Sequence, residues 1–552
     1  MPNFKTMPES EKIRHLKKHA ESAARFIKQY SHVCLVTHND SDGLTSAAIM
    51  IQAFKREGIT YYHKVFPKLD AGTVSYLASS FPEDFLMVFC DIGSGQAEFL
   101  SVLPNPIVIL DHHVPVGKSP AKVVVNPIDV GLEGSYMISG AGVSYLTARA
   151  MRPENADLAS LAVAGMIGDR QLMVAANALI LEEAKEVGVV TSRRGLKVGS
   201  GTLFEVFMRT TEPYLNVTGK PEAIRSFLSD LKLDENKNIN DLTEDEMNSL
   251  ADAVLEKLKP LNSPDAVEAA VGEIYYLKNR SVENAFDLAG ILDSCNKDED
   301  FAMAVALCLG DSDVLERMCE NYRLTQETLV KNLALFLPTA VSLENVSYIY
   351  GRDIHSAGNI STTYIRYVNP QKSFVCLNEN DGIIRISARG TRLLIKSGLD
   401  LSIAVKQAAE SVGGSGGGHN IASGGLLPSG KETAEAFIKK LNELIGIQLS
   451  KSVGGSVCPI SSEGTIRFID ETDAEKEERL SQKLVAALAP DNVYDTKTTV
   501  CDGYADVQIK TEKIGSLLAT ADDLLMNADG AVRIKKESVK SGYSKSHQTD
   551  DK

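Results

Sequence analysis

Short apolar runs alternate with longer amphipathic stretches through the first third of the chain. Val33-Cys34-Leu35-Val36, Phe85-Leu86-Met87-Val88-Phe89 and Ile107-Val108-Ile109-Leu110 are continuous and rich in β-branched or aromatic residues. That is the pattern of strands buried on both faces. Helical periodicity marks 12–30, Leu44–Phe54, Gly72–Ser79, Gly142–Ala150 and Leu158–Ile167. Strands alternating with helices over 32–190 predict a doubly wound, mainly parallel sheet.

The pattern then changes. Pro221–Leu231, Glu244–Leu258, Val282–Ser294 and Asp313–Leu335 read as helices with few strands between them, and the acidic stretch Asp293–Asp300 reads as a solvated loop. Residues 345–450 return to α/β with glycine-rich connections. Lys451–Ser456 reads as a linker. Beyond it, Gly464–Asp470 and Ala505–Lys510 read as strands, and Ala474–Leu488 and Ile514–Ala528 as helices. The polar end is expected to be disordered. The fold class is α/β: a parallel-sheet domain over 1–195, a mostly helical module over 196–340, a second α/β domain over 341–450, a small α+β domain over 457–535, and a tail over 536–552.

Composition narrows this picture. The chain has 552 residues, 43% of them hydrophobic, enough for several cored domains. A net charge of −15 argues against a broadly basic nucleic-acid binder, so any such contact needs a local basic strip. The eight cysteines are scattered, in apolar contexts, without a Cys-x-x-Cys pair; they read as reduced, buried thiols. The N-terminus has no apolar leader region, and no run of about eighteen apolar residues appears. A cytoplasmic protein without a membrane span is expected.

Acidic and histidine residues follow each predicted strand. They read Thr37-His38-Asn39-Asp40-Ser41-Asp42-Gly43, Asp91-Ile92-Gly93 and Asp111-His112-His113, and Gly168-Asp169 follows later. Each alone has a structural reading: Asp40 or Asp42 as a helix N-cap, Asp91 as a turn, Asp-His-His as a solvated loop. Together they stand at carboxyl ends of strands, where open α/β sheets bind ligands. Carboxylates and imidazoles without thiolates suit Mn²⁺, Mg²⁺ or Zn²⁺, with the harder ions favoured.

A second group lies at 380–425. In a strand, Arg385, Ser387 and Arg389 share one face, a row of donors suited to phosphate oxygens or a polar outer surface. The run Gly413-Gly-Ser-Gly416-Gly417-Gly418-His419 reads as a linker or, inside an α/β module, as an anion-binding nest.

The four clusters resemble the motifs of the DHH phosphoesterase superfamily, with His-x-Asp-x-Asp-Gly in its RecJ-like form. The Arg row and Gly416–His419 resemble the DHH-associated domain, with Ser423 where a second alanine is common. The arrangement with a middle module is similar to archaeal RecJ-like, GINS-associated nucleases. The last domain weakly resembles the small dimerising subunit of the KEOPS complex, which would imply a homodimer.

The resemblance implies two divalent metal ions, Mn²⁺ or Mg²⁺. His38 and Asp40 would bind one ion, Asp42, His112 and Asp169 the other, and Asp91 would bridge. His113 would touch the scissile phosphate, and Asp111 would orient the histidines. Arg385, Ser387, Arg389, Gly416, Gly417, Gly418 and His419 would hold substrate. The implied activity is a RecJ-like exonuclease on single-stranded DNA or RNA, with GINS-type replication proteins as candidate partners. The alternatives are a phosphodiesterase for short oligonucleotides or cyclic dinucleotides, and a replication scaffold with secondary hydrolysis.

Overall fold

The computed structural model describes residues 7–295, 298–453, 462–469, 495–501, 504–511 and 533–535. The chain divides into two compact units, Met1–Leu449 and Ser450–Lys552. No helix among the described residues is long and apolar enough to cross a membrane.

In the first unit, β1 (His32–Thr37), β2 (Thr60–Val65), β3 (Leu86–Cys90), β4 (Ile107–Leu110) and β5 (Val123–Val125) form one sheet. All its pairings are parallel and the order is β2-β1-β3-β4-β5. The chain runs out from β1 to β2 and returns across it to β3. In such a sheet the crevice between the two halves opens at the carboxyl ends of β1 and β3. The three predicted strands are the three central ones, and β3 and β4 are buried throughout. The helix Ser41–Glu57 packs against helices Gly140–Met151 and Ala159–Gly168. Helix Ala159–Gly168 is apolar on nearly every side, as a fully enclosed helix must be.

The middle of the chain is shared between cores. Leu277, Leu288, Ile291, Leu292 and Phe301 join the core around the first sheet, whereas Leu203, Phe207, Ile224, Phe227 and Leu250 build another. β6 (Val190–Leu196) and β7 (Val271–Leu277) form an antiparallel pair. The acidic stretch from Asp293 is only partly the solvated loop expected: Asp293 is exposed, but the far end of the stretch is helical. Asp293 ends the helix Ala285–Asp293, the helix Asp298–Cys308 follows, and Asp300 is buried. The continuous apolar run Phe301–Cys308 draws this helix into the core.

The second α/β domain has a six-stranded sheet: β8 (Val341–Ser342), β9 (Val346–Arg352), β10 (Ser373–Asn380), β11 (Ile383–Arg389), β12 (Ser415–Gly418) and β13 (Ala422–Pro428). Its order is β12-β13-β11-β10-β9-β8. The glycine run is neither linker nor free loop: it is the edge strand β12, paired antiparallel with β13. Glycine is needed because a Cβ on Gly416 would sit 3.0 Å from the Val405 carbonyl of helix Leu401–Glu410. Close backbone approach is the usual reason for glycine inside a strand.

In the second unit, β14 (Ser462–Ile469), β15 (Asp495–Cys501), β16 (Tyr504–Thr511) and β17 (Arg533–Lys535) form an antiparallel sheet in the order β15-β16-β14-β17. The expected linker begins as helix, since Lys431–Val453 is helical. The expected helices Ala474–Leu488 and Ile514–Ala528 and the tail 536–552 lie outside the described residues, as does the apolar stripe on which a homodimer would rest.

Candidate metal centre

The first cluster leaves β1 and enters the helix Ser41–Glu57. Asp40 is its N-cap and accepts from the Gly43 N–H at 3.0 Å. Its other oxygen meets His38 Nδ1 at 2.7 Å. The helix-cap reading of Asp40 therefore holds alongside its place in the cluster. Asp42, the second residue of the helix, is buried. It accepts from Gly140 N–H at 2.6 Å and Ala141 N–H at 2.9 Å, the first amides of helix Gly140–Met151. A carboxylate at a helix N-terminus is favoured by the free amides there and by the helix dipole.

Asp91 follows β3 with φ 59°, a left-handed turn that Asp tolerates better than most residues. This turn sets its carboxylate at the centre of the cluster. Asp91 Oδ1 lies 3.1 Å from His112 Nε2, and Oδ2 lies 3.8 Å from His38 Nδ1. Asp111, wholly buried after β4, accepts from Ser94 N–H at 2.9 Å, His112 N–H at 2.8 Å and His113 Nδ1 at 2.8 Å. It orients the His113 ring. The His112 ring is held instead by the Gly134 carbonyl, 2.8 Å from Nδ1, which leaves Nε2 facing the carboxylates. Nε2 is 3.7 Å from Asp169 Oδ2 and 3.8 Å from Asp42 Oδ2.

Two ligand sets emerge: His38, Asp40 and Asp91, and Asp42, His112 and Asp169, the ligand atoms of each lying within 4.8 Å of one another. Asp91 also groups with Asp111, His112 and His113. The donor atoms fit a divalent cation. Among the described residues, Asp91 Oδ1 and His112 Nε2 are buried without a hydrogen bond that meets normal geometry. Such groups need a counter-charge.

The electrostatics express the same demand. Burial first, then the charges of Asp42 and Asp40, push the Asp91 carboxyl well above the usual range. Burial, reinforced by Asp169, raises Asp42 to about 6. Burial alone would lower His112, but Asp91, Asp169 and Asp42 carry it well above the usual imidazole value. For His38, burial is likewise outweighed by Asp40, Asp111 and Asp42, and the pKa rises. Asp111 stays low: its burial is overcome by His113, His112 and the Ser94 amide.

The donor row lies on β11. Arg385 is exposed, Ser387 and Arg389 are half-buried, and the residues between them are buried, so the three share one face. Among the described residues, neither arginine has a carboxylate partner. His419 turns from β12 to β13, its N–H donating to the Ala422 carbonyl at 2.8 Å. Partial desolvation, then the charges of His113 and His112, lower its pKa, although the residue is exposed.

Comparison with known proteins bears on the domains and the fold. Residues 32–166 match the DHH family N-terminal domain, and residues 347–446 match the DHHA1 domain. The chain thus carries two domains that match the DHH family, and its fold is RecJ-like. An uncharacterized protein of Methanocaldococcus jannaschii is 28% identical over 80% of this chain and all of its own length. The single-stranded-DNA-specific exonuclease RecJ of Bacillus subtilis is 25% identical over 38% of this chain, a match spanning 29% of that protein. The crystal structure of RecJ in complex with Mn²⁺ from Thermus thermophilus is 15% identical with a TM-score of 0.51, covering 78% of this chain and 55% of that one. CDC45 from Entamoeba histolytica is 11% identical with a TM-score of 0.56, covering 79% of this chain and 98% of that one.

The centre also depends on residues other than the candidate ligands. A Cβ on Gly140 would sit 2.6 Å from Asp91 Oδ1, and one on Gly165 would sit 2.6 Å from Asp42 Oδ1. Gly134 and Gly168 pack still closer, against the His112 carbonyl and the Ser41 hydroxyl. Gln171 Nε2 donates to Asp169 Oδ2 at 2.8 Å and to the Gly134 carbonyl at 2.9 Å. Asn126 Nδ2 ties the His113 carbonyl at 2.9 Å. Asp293 accepts from Ser41 N–H, between Asp40 and Asp42, at 2.8 Å. Desolvation by the surrounding groups, then the charge of Asp40, raises Asp293 to about 7, although the residue keeps contact with solvent. Gly168 stands in the fourth cluster, and Ser139-Gly140-Ala141-Gly142 carries a further sequence signal: a capping serine before small residues marks an open helix N-terminus.

Proposed function

We propose that this DHH protein is a metal-dependent phosphodiester hydrolase that trims single-stranded nucleic acid from one end. The central place of Asp91, within reach of both ligand sets, carries the reading. His38 and Asp40 would hold one divalent ion, Asp42, His112 and Asp169 a second, with Asp91 shared. Two such ions, when bound, neutralise phosphoryl oxygens and activate a water for in-line attack. Mn²⁺ is the first choice and Mg²⁺ the second, since the donors are imidazole and carboxylate only.

The chain's own residues divide the remaining work. His113, its Nδ1 fixed by Asp111, presents Nε2 as a donor to the scissile phosphate. Asp111 holds that ring and both histidine amides in place. Arg385, Ser387, Arg389 and His419 grip phosphates further along, with Gly416, Gly417 and Gly418 bringing backbone close to the chain. No side chain has to act as a covalent nucleophile.

End-labelled single-stranded DNA and RNA of several lengths, each with Mn²⁺ and with Mg²⁺, test this. Stepwise shortening of long strands is expected. Turnover of dinucleotides or cyclic dinucleotides alone would replace it with the short-substrate reading. The fold likeness to CDC45 favours one other role, a replication scaffold with GINS-type partners. Metal binding without hydrolysis of any substrate would establish that role instead.

A further inference from the structure

Asp293 is the last residue of the helix Ala285–Asp293, where a carboxylate faces the negative end of its own helix dipole. Its Oδ1 accepts instead from the Ser41 N–H at 2.8 Å, across 252 residues of chain. Ser41 opens the helix Ser41–Glu57, and the amide of an opening residue has no partner within its own helix. An acid unfavourable at the end of one helix thus serves the start of another. Residues that break a local rule in this way concentrate at functional positions.

The helix that carries Asp293 reaches the centre a second time. A Cβ on Gly168, the residue before Asp169, would lie 3.6 Å from the Ala289 Cβ. Leu288, Ile291 and Leu292 anchor the same helix in the core around the first sheet, so Asp293 stands on a fixed support. Residues 285–293 lie outside both 32–166 and 347–446, the segments that match the DHH and DHHA1 domains. The support belongs to the middle of the chain.

The two candidate ligands that flank Ser41 are held unequally. Asp42 is buried and accepts from the Gly140 and Ala141 N–H groups, which do not depend on Asp293. Asp40 is the N-cap, and 42% of its side chain is exposed. Its oxygens meet the Gly43 N–H of its own helix and the ring of His38, itself a candidate ligand. Helix ends fray. The Asp40 carbonyl and the Ser41 N–H share one rigid peptide plane, so a bond that fixes the Ser41 N–H also fixes the plane leaving Asp40.

We propose that Asp293 is a positioning residue for one of the two candidate ions, the one at His38 and Asp40. Through the Ser41 amide it holds the Asp40 end of the turn, while Asp42 keeps its place without it. The inference rests on the two-ion reading above and adds to it. The middle of the chain completes one ion site and leaves the other alone.

The test is Mn²⁺ binding by calorimetry to the metal-free full chain, as wild type, D293A and D293N. The asparagine removes the charge but keeps an acceptor for the Ser41 N–H. In D293A one of two ions should bind about 10–100-fold more weakly, the usual effect of removing a group that orients a ligand, and the other should change little. D293N should recover most of the loss. In an H38A background, where the first site is already broken, D293A should leave the remaining ion unaffected. Amide exchange followed by mass spectrometry in EDTA gives a readout without metal. The peptide containing Ser41 should exchange faster in D293A, regain protection in D293N, and do so with no change in the helix Gly140–Met151. D293S, whose shorter side chain falls short of the amide, replaces D293A if that variant unfolds. Unchanged affinity for both ions, equal weakening of both, or a D293N as weak as D293A would overturn the inference. A wild type that takes up fewer than two Mn²⁺ would overturn the two-ion reading itself, and the inference with it.

Discussion

At Asp91 the backbone and the side chain answer to separate constraints. Asp91 takes a left-handed turn after β3, and its carboxylate lies beside both His38 and His112, one from each candidate ligand set. Asn keeps the turn and the shape but removes the charge, so Asp91→Asn should fold. In thermal unfolding, Mn²⁺ at a hundred times its dissociation constant should stabilise the wild type by about 2.7 kcal/mol. Asp91→Asn should lose most of that gain and all measurable hydrolysis. A variant that keeps both would remove Asp91 from the centre. His113 makes the complementary case. Its Nδ1 is committed to Asp111 at 2.8 Å, so only Nε2 can serve, and the assignment gives it phosphate. His113→Ala should cut turnover strongly while elemental analysis still finds two metals per chain. Loss of one metal would turn His113 into a ligand.

At the scale of elements, the decisive one is the helix Gly140–Met151. Its first two amides bind Asp42, and its first residue lies against Asp91. Its start is thus a wall of the site, one for which the sequence offered only a capping serine and glycines. Gly140→Ala should displace Asp91. The expected result is a stability loss of about 1–3 kcal/mol, typical of overpacking, and weaker Mn²⁺ binding by calorimetry. Unchanged Mn²⁺ affinity would mean that Asp91 can shift without cost. β12 teaches a related point. A glycine run reads as a loop when judged by composition, yet here it is a strand, because helix Leu401–Glu410 leaves no room for a Cβ.

For the whole molecule, the first unit closes at Leu449 and contains every proposed ligand and phosphate-binding residue. Phe437, Leu441 and Ile445 of the helix Lys431–Val453 belong to the core of the second α/β domain, so that helix must stay with it. A chain ending just after Val453 should therefore fold, bind Mn²⁺ and hydrolyse substrate at a rate within a few-fold of the full chain. Loss of activity with an intact circular-dichroism spectrum would show that 454–552 contributes to substrate handling. Light scattering on both chains also tests the expected homodimer.

The local pattern was sufficient for anything a short stretch decides. Buried apolar runs define β1, β3 and β4, a strand ending at Thr37, Cys90 or Leu110 hands its next residues to the sheet edge, and Arg385, Ser387 and Arg389 share a face by period two alone. The donor chemistry of those residues is likewise written in their side chains. Tertiary structure decided which distant groups meet. Asp42 reaches Gly140 across 98 residues and Ser41 reaches Asp293 across 252. Glu212 gathers Arg170 and Arg366 from either side. Such contacts arise from the order in which strands pair and from how closely small residues let helices approach. Neither leaves a period in the sequence, because periodicity reports which face of an element is buried, not what it is buried against.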